Sequence, residues 1–237
     1  MHKTIGILGG MTAESTVTYY QHIVRTYQAR YGDHAYPQVV LYSVSFQRFK
    51  DWMDADNWDA IEQELRVALR KLAAAGADFA VMATNTMHLM FDQLQRDSLI
   101  PLISIMDTTA DAITAAGLRT VGLLGTKFTM EKEFYAEGLA RCGIRALVPD
   151  APDRRIVHEV IMEELSRGIL REESRRHYLQ IIDSLAGRGA EGLVLGCTEI
   201  PLLVRPQDTS LPLFDTAVIH AEAALARALR PADEGVA

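Results

Sequence analysis

The 237-residue chain has almost no cysteine, only Cys142 and Cys197. That excludes a disulfide framework, which needs several cysteines in a small secreted domain. It also lacks an excess of positive charge. Twenty-four Lys and Arg stand against 31 Asp and Glu, a net charge of −7. A nucleic-acid or anionic-membrane binder is therefore not expected, because counterion release needs clustered cations. No apolar run reaches the ~18 residues of a membrane span. The apolar stretch after Met1-His2-Lys3 is too short for a secretory leader and has no cleavage site. A P-loop, a G-x-S-x-G elbow and an H-E-x-x-H zinc helix are all missing. The seven histidines show no metal-type pairing, so no metal is expected. The expectation is a soluble, cytoplasmic protein.

What is present is ordinary globular composition, 49% hydrophobic and 23% charged. A chain of this length buries roughly 70% of its unfolded surface without a covalent or metal staple. Short β-type runs alternate with longer helical patterns, which signals parallel α/β structure. Strands are expected at Thr4–Leu8, Gln38–Ser43, Phe79–Met82, Leu102–Ile105, Thr120–Leu124, Gly192–Leu195 and Leu213–Phe214. Ile61, Leu65, Leu69 and Leu72 recur at helical steps within Trp58–Ala75, and Gly76 supplies a left-handed stop. A last helix is expected over Ala217–Leu229, with the final seven residues frayed.

The informative feature is an internal repeat. Thr4-Ile5-Gly6-Ile7-Leu8-Gly9 matches Thr120-Val121-Gly122-Leu123-Leu124-Gly125, Thr84-Asn85-Thr86 matches Cys197-Thr198-Glu199, and Pro101-Leu102-Ile103 matches Pro212-Leu213-Phe214. Three matches in one order, with offsets drifting from 116 to 113 to 111, imply two similar α/β halves. Ligands of open α/β sheets sit at the carboxyl ends of strands, where the polar triplets fall.

Cys197 follows a strand and Gly196, and precedes Thr198-Glu199-Ile200-Pro201. A helix start there, with Thr198 as a cap, would lower the thiol's pKa. Cys142 reads instead as an ordinary small side chain near a helix end. Thr84-Asn85-Thr86 can donate hydrogen bonds to a carboxylate, or cap the following Met87-His88-Leu89-Met90. Gly9-Gly10-Met11-Thr12 lacks the dinucleotide spacing and fits a turn that approaches a small ligand closely. Gly125-Thr126-Lys127 is its counterpart in the second half. Arg48 and Lys50 could partner a substrate carboxylate; the ordinary reading of either is a solvated surface charge. None of the lysines 3, 50, 71, 127 and 132 stands in a repeated motif, which disfavours a Schiff-base enzyme.

Ile5-Gly6-Ile7-Leu8-Gly9-Gly10-Met11, Thr84-Asn85-Thr86-Met87-His88 and Gly196-Cys197-Thr198-Glu199-Ile200 together resemble the aspartate/glutamate racemase family, over roughly residues 3 to 229. The resemblance implies two pseudo-symmetric α/β domains with the active site between them, and a homodimer. It implies a discontinuous first domain, 1–107 plus 216–237, and a second domain, 108–215. It implies cofactor-independent chemistry, with two cysteines exchanging the substrate's α-proton from opposite faces. Here the first cysteine position holds Thr84, as in a subgroup specific for L-aspartate and L-glutamate. The resemblance thus assigns Thr84 and Cys197 to catalysis, and Met11, Ser45, Lys50, Asn85, Thr86, Thr126, Thr198 and Glu199 to an acidic amino-acid substrate. Ser166, with Arg167 adjacent, falls where the family has a second basic residue. A single-cysteine decarboxylase or lyase, or an amino-acid-binding protein without turnover, are the alternatives.

Overall fold

The computed structural model describes residues 2–230. The fraying expected of the last seven residues concerns 231–237, which lie outside the described residues. Two four-stranded parallel sheets are present. The first contains β1 (Ile5–Gly9), β2 (Val39–Ser43), β3 (Phe79–Met82) and β4 (Leu102–Ile103), in the order β2-β1-β3-β4. The second contains β5 (Thr120–Gly125), β6 (Arg145–Leu147), β7 (Gly192–Gly196) and β8 (Leu213–Asp215), in the order β6-β5-β7-β8. Helices flank the strands, so the fold is α/β. The two sheets share one topology, and every pairing is parallel.

Buried parallel strands explain the sequence pattern. β1, β3 and β7 are buried along their whole length, as strands covered on both faces must be. In the second sheet, Leu124, Leu193 and Leu195 pack in one cluster with Ile181, Ile182 and Leu185. Val121, Leu123 and Val194 pack in another with Ile105, Ile113 and Tyr135. Alternate residues of one strand thus serve opposite faces. The helix Trp58–Ala74 buries Ile61, Leu65, Leu69 and Leu72, and Asn57 caps it by accepting the Ala60 N–H at 3.2 Å. β6 carries no signal in the sequence: it has three residues, Arg-Ala-Leu, none β-branched, and pairs on one side only. Ile105, expected to end β4, instead opens the helix Ile105–Ala115.

The described residues divide into two compact units: 2–83, 90–104 and 220–230, and 84–89 and 105–219. The family resemblance implies boundaries at 107/108 and 215/216. The structural boundary at 104/105 keeps the helix Ile105–Ala115 whole, since its Ile105, Met106, Ala110 and Ile113 belong to the second core. The last helix, Thr216–Leu229, starts in the second unit and continues into the first. Within the first unit, His220 Nε2 donates to the Ile103 carbonyl at 2.9 Å, and Nδ1 accepts from Tyr19 Oη at 2.8 Å. The Lys3 N–H donates to the Ala228 carbonyl at 3.0 Å.

Each half also contains the same carboxylate clamp. Gly76-Ala77-Asp78 and Gly189-Ala190-Glu191 end their helices with a left-handed glycine, φ +91° and +95°. The alanine N–H then donates back to Leu72 or Leu185. The Asp78 N–H donates to Thr4 O, and Asp78 Oδ2 accepts the Thr4 N–H at 2.6 Å. The Glu191 N–H donates to Thr120 O, and Glu191 Oε2 accepts the Arg119 and Thr120 N–H groups, each at 2.8 Å.

These backbone donors hold the Glu191 carboxyl below its ordinary range. A depressed folded-state pKa contributes stability that is present at neutral pH and lost as the pH falls through that value. Glu191→Gln should therefore lower the denaturation midpoint at pH 7, with the deficit shrinking on acidification. Urea melts from pH 7 to 3 check this; a deficit that grows as the pH falls contradicts it.

Candidate active site

The carboxyl ends of β5 and β7 are stripped of side chains. Gly125 and Gly196 are register partners. A Cβ on Gly125 would sit 2.9 Å from the Gly196 carbonyl, and one on Gly196 2.9 Å from the Leu124 carbonyl. The next residues, Thr126 and Cys197, leave adjacent strands side by side. β8 ends at Asp215 on the other flank of β7, and Thr216 follows, fully buried. Thr216 Oγ1 donates to the Leu195 carbonyl at 2.9 Å. Thr126, Cys197 and Thr216 therefore line one edge of the second sheet.

Residues 84–89 are bound to this second unit by side-chain hydrogen bonds. Asn85 Nδ2 donates to Thr216 Oγ1 at 2.9 Å, beside β8. Thr86 Oγ1 shares a 2.9 Å hydrogen bond with Thr126 Oγ1, beside β5. Two consecutive residues thus reach the two strands that flank β7 and its Cys197. His88, 2% exposed, has Nδ1 2.8 Å from the Thr84 carbonyl and accepts the Ile105 N–H on Nε2 at 3.1 Å. The side chains of Asn85 and Thr86 bond to the second sheet rather than to the turn Thr86–Met90, so the capping alternative finds no support in them.

Asn85 also offers an acceptor that the sequence reading did not anticipate. The Thr216 hydroxyl proton is committed to Leu195 O, so Thr216 must accept from the amide and Nδ2 must face it. Asn85 Oδ1 is left buried without a partner among the described residues. It is an acceptor, suited to an ammonium; Nδ2 has a second N–H, the kind of donor to a carboxylate expected from sequence.

Cys197 is half-buried, and its thiol donates to Glu199 Oε2 at 3.0 Å. Thr198 Oγ1 donates to the same oxygen at 2.9 Å, and Glu199 is 2% exposed. The expectation of a lowered thiol pKa is corrected here. Burial pushes the Cys197 thiol well up, and the Glu199 carboxylate adds to this through its charge and the hydrogen bond. The backbone N–H groups of Glu199 and Thr198 pull the other way without prevailing. The following helix has only four residues, Ile200–Leu203, and its N-cap is Glu199, not Thr198. A helix so short contributes little field to set against the carboxylate. Tyr178, fully buried and donating to Val157 O at 3.0 Å, is pushed up by burial first and by Cys197 next.

Met11, Ser45, Lys50, Arg48 and Gly10 belong to the first unit. Met11 is buried after β1. Ser45 is the exposed N-cap of Phe46–Asp54 and makes no side-chain cap bond. Lys50 pairs with Asp54 at 3.0 Å, and Arg48 with Glu64 at 3.4 Å. Gly10 is required by the protein itself: φ is +89°, and a Cβ would meet the Val44 carbonyl at 2.3 Å. In the second unit, Ser166 donates to the Met162 carbonyl and Arg167 pairs with Glu163. Cys142 is exposed. Among the described residues, no group of three or more His, Cys, Asp or Glu is placed to hold a metal ion, and no helix is long and apolar enough to cross a membrane.

Sequence reasoning missed Thr216 and gave His88 no role. Thr216 follows the repeated Pro-Leu-Phe strand at its carboxyl end, the same position rule that marks Cys197. His88 has no partner in the repeat: the matching residue is Pro201.

Parallel α/β sheets with hydroxyls, an amide and a thiol gathered at a carboxyl edge form the class of protein that binds small polar molecules there. The family profile described as Asp/Glu/Hydantoin racemase matches residues 8–224, and the chain belongs to that family. It is an isomerase, a racemase of Asp/Glu type at family level. The chain is similar to a Yersinia pestis structure provisionally assigned as an Asp/Glu racemase, with 41% identity, TM-score 0.88, and coverage of 96% of this chain and 100% of that one. It is also similar to the structure of an aspartate racemase homologue from Pyrococcus horikoshii OT3, with 35% identity, TM-score 0.83, and coverage of 97% and 100%. A broad-specificity amino-acid racemase, RacX of Bacillus subtilis strain 168, is 23% identical over 92% of this chain and 95% of its own length.

Two outcomes follow from the site geometry. Glu199→Gln, in a Cys142→Ser background, should move the pH midpoint of Cys197 alkylation by iodoacetamide downward, because the carboxylate holds the thiol up. An unchanged or higher midpoint contradicts the Glu199 contact. Thr216→Val leaves the buried Asn85 amide without its acceptor and should cost about 1–3 kcal/mol in a denaturant melt.

Proposed function

We propose that the protein racemises an acidic amino acid, aspartate or glutamate, without a cofactor, using Cys197 and Thr84 at the α-carbon. The observation that carries this reading is the attachment of Asn85 and Thr86 to the strands on either side of Cys197. It gathers the first polar triplet with the second on one sheet edge. Support for the substrate class comes from relatives described as racemases of aspartate, glutamate and amino acids.

The chemistry demands such a cradle. A Cα–H beside an ionised carboxylate is a very poor acid, so developing carbanion charge must meet placed donors in a water-poor site. Thr126 Oγ1 bonds both Thr86 Oγ1 and Thr129 Oγ1; with Thr129 donating to Thr126 and Thr126 to Thr86, the Thr86 hydroxyl proton is left for the substrate carboxylate. Thr198 lies beside the thiol, and Asn85 Oδ1 accepts from the substrate ammonium. At rest Cys197 is the thiol. Its proton passes to Glu199 Oε2 along the existing hydrogen bond, and the thiolate then takes the α-proton. From the other face the Thr84 hydroxyl gives its proton to the carbanion; the alkoxide regains a proton from water and protonated Glu199 returns one to that water, which restores the thiol, the hydroxyl and the carboxylate. That hydroxyl is far less acidic than a thiol, whose reference pKa is about 8.5. The two enantiomers therefore differ in α-proton exchange rate and in kcat and KM taken separately, while kcat/KM for inversion is equal in the two directions because the equilibrium constant is one.

Proton NMR and chiral chromatography in D2O test this. Wild type should wash deuterium into L-aspartate or L-glutamate faster than it inverts it. Cys197→Ala should abolish both processes in a folded protein, and Cys142→Ser should change them by no more than a few fold. Thr84→Cys should raise activity on the D enantiomer relative to the L. Equal exchange from both enantiomers, unmoved by Thr84→Cys, removes Thr84 from the reaction. Loss of a carboxylate instead of inversion would make the protein a single-cysteine decarboxylase. Ligand-induced stabilisation with neither would make it a binding protein.

A further inference from the structure

We infer that His88 is a positioning residue for Thr84: its ring fixes the Thr84 carbonyl to the start of the helix Ile105–Ala115, and so aims the Thr84 hydroxyl at the reacting carbon. The inference rests on the racemase reading above and deepens it.

Two hydrogen bonds of the ring dictate its tautomer. A carbonyl oxygen cannot donate, so Nδ1, 2.8 Å from Thr84 O, must carry the proton. A backbone N–H cannot accept, so Nε2, 3.1 Å from Ile105 N, must present its lone pair. One neutral tautomer satisfies both contacts. Its opposite places N–H against N–H at one end and a lone pair against a carbonyl at the other. Imidazolium clashes with the Ile105 N–H. A ring buried and bound in this way is not a proton carrier for the substrate.

Its placement is equally specific. Thr84 is the first residue of the segment 84–89, and β3 before it belongs to the other unit. Asn85 and Thr86 are tied to the second sheet through their own side chains, whereas the main chain of Thr84 is tied through His88. Ile105, the far end of the bridge, is fully buried in the second core. The ring thus transmits the position of a core helix to the residue whose hydroxyl must face the α-carbon. A misplacement of about 1 Å at such a residue costs roughly a hundredfold in rate. The Cys197–Glu199 pair has its own support at the end of β7 and does not depend on this bridge.

That independence gives a readout that a merely structural histidine would not move. Exchange without inversion needs Cys197 alone; inversion needs Thr84 as well. With L-aspartate or L-glutamate in D2O, His88→Leu should lower inversion roughly tenfold more than exchange, with KM changed by no more than about threefold. His88→Asn, whose amide can place an N–H where Nδ1–H stands, should recover most of the lost ratio. If inversion and exchange fall together in His88→Leu, or His88→Asn is no better, the assignment is overturned. Wild-type protein provides a check independent of variant folding. Its 15N histidine spectrum should show His88 as the neutral Nδ1–H tautomer at pH 7, and an Nε2–H or imidazolium pattern overturns the bridge. Wild type that neither exchanges nor inverts overturns the racemase reading itself, and the positioning role with it.

Discussion

The close approach of β5 and β7 at Gly125 and Gly196 is the constraint on which the candidate site depends. With carbonyls 2.9 Å from where each Cβ would stand, neither position tolerates a side chain. Parallel strands lie about 4.8 Å apart, so the residues immediately after the glycines, Thr126 and Cys197, are held as neighbours by backbone alone. The other parts of the site follow from that edge. Thr216 closes its far side, and the triplet 84–86 finds its hydrogen-bond partners along it. The Cys197 thiol then lies within reach of a carboxylate only two residues further on.

The electrostatics of that thiol show which local effect wins. A backbone N–H pair and a short helix favour the thiolate, while burial and the Glu199 carboxylate favour the thiol. The second group prevails because burial disfavours the thiolate most, and the Glu199 carboxylate in hydrogen-bond contact adds to it against the partial charges of a four-residue helix. The outcome is a protonated cysteine with a proton acceptor already in contact, rather than a standing thiolate exposed to alkylation and oxidation.

Much of this is legible in the sequence because buried parallel strands and internal duplication leave strong marks. Seven strands, the helix over Trp58–Ala74 and the doubled α/β arrangement can be read from runs of Val, Ile and Leu, from glycine stops and from matching segments. The Gly-Ala-Asp and Gly-Ala-Glu clamps are equally present, but only two residues are identical and the third is Asp against Glu, too little to stand out until the backbone donors around their carboxylates are seen. β6 is hidden because a three-residue edge strand needs no β-branched pattern. The direction of the Cys197 shift cannot be read because it depends on a fold-back: Glu199 turns its carboxylate onto a sulfur two residues earlier. The Asn85 polarity is hidden for a related reason. It is decided by Thr216, 131 positions away.

That last separation has a consequence for how the site comes into being during folding. Contacts between residues far apart in sequence form only after the loop between them has closed, at an entropic cost that local helices and hairpins avoid. Asn85 and Thr86 are made early on the ribosome, yet the hydroxyls that hold them belong to Thr216 and Thr126, which emerge later. The first sheet can pair β1, β2 and β3 while the segment after β3 still has no fixed conformation. Cys197 and Glu199, by contrast, are local to one another and can meet as soon as β7 is in place. The bridge from Thr84 through His88 to Ile105 is likewise local and can form once the helix Ile105–Ala115 is made, whereas the Asn85 amide is fixed only when Thr216 has emerged and nearly the whole chain has been made.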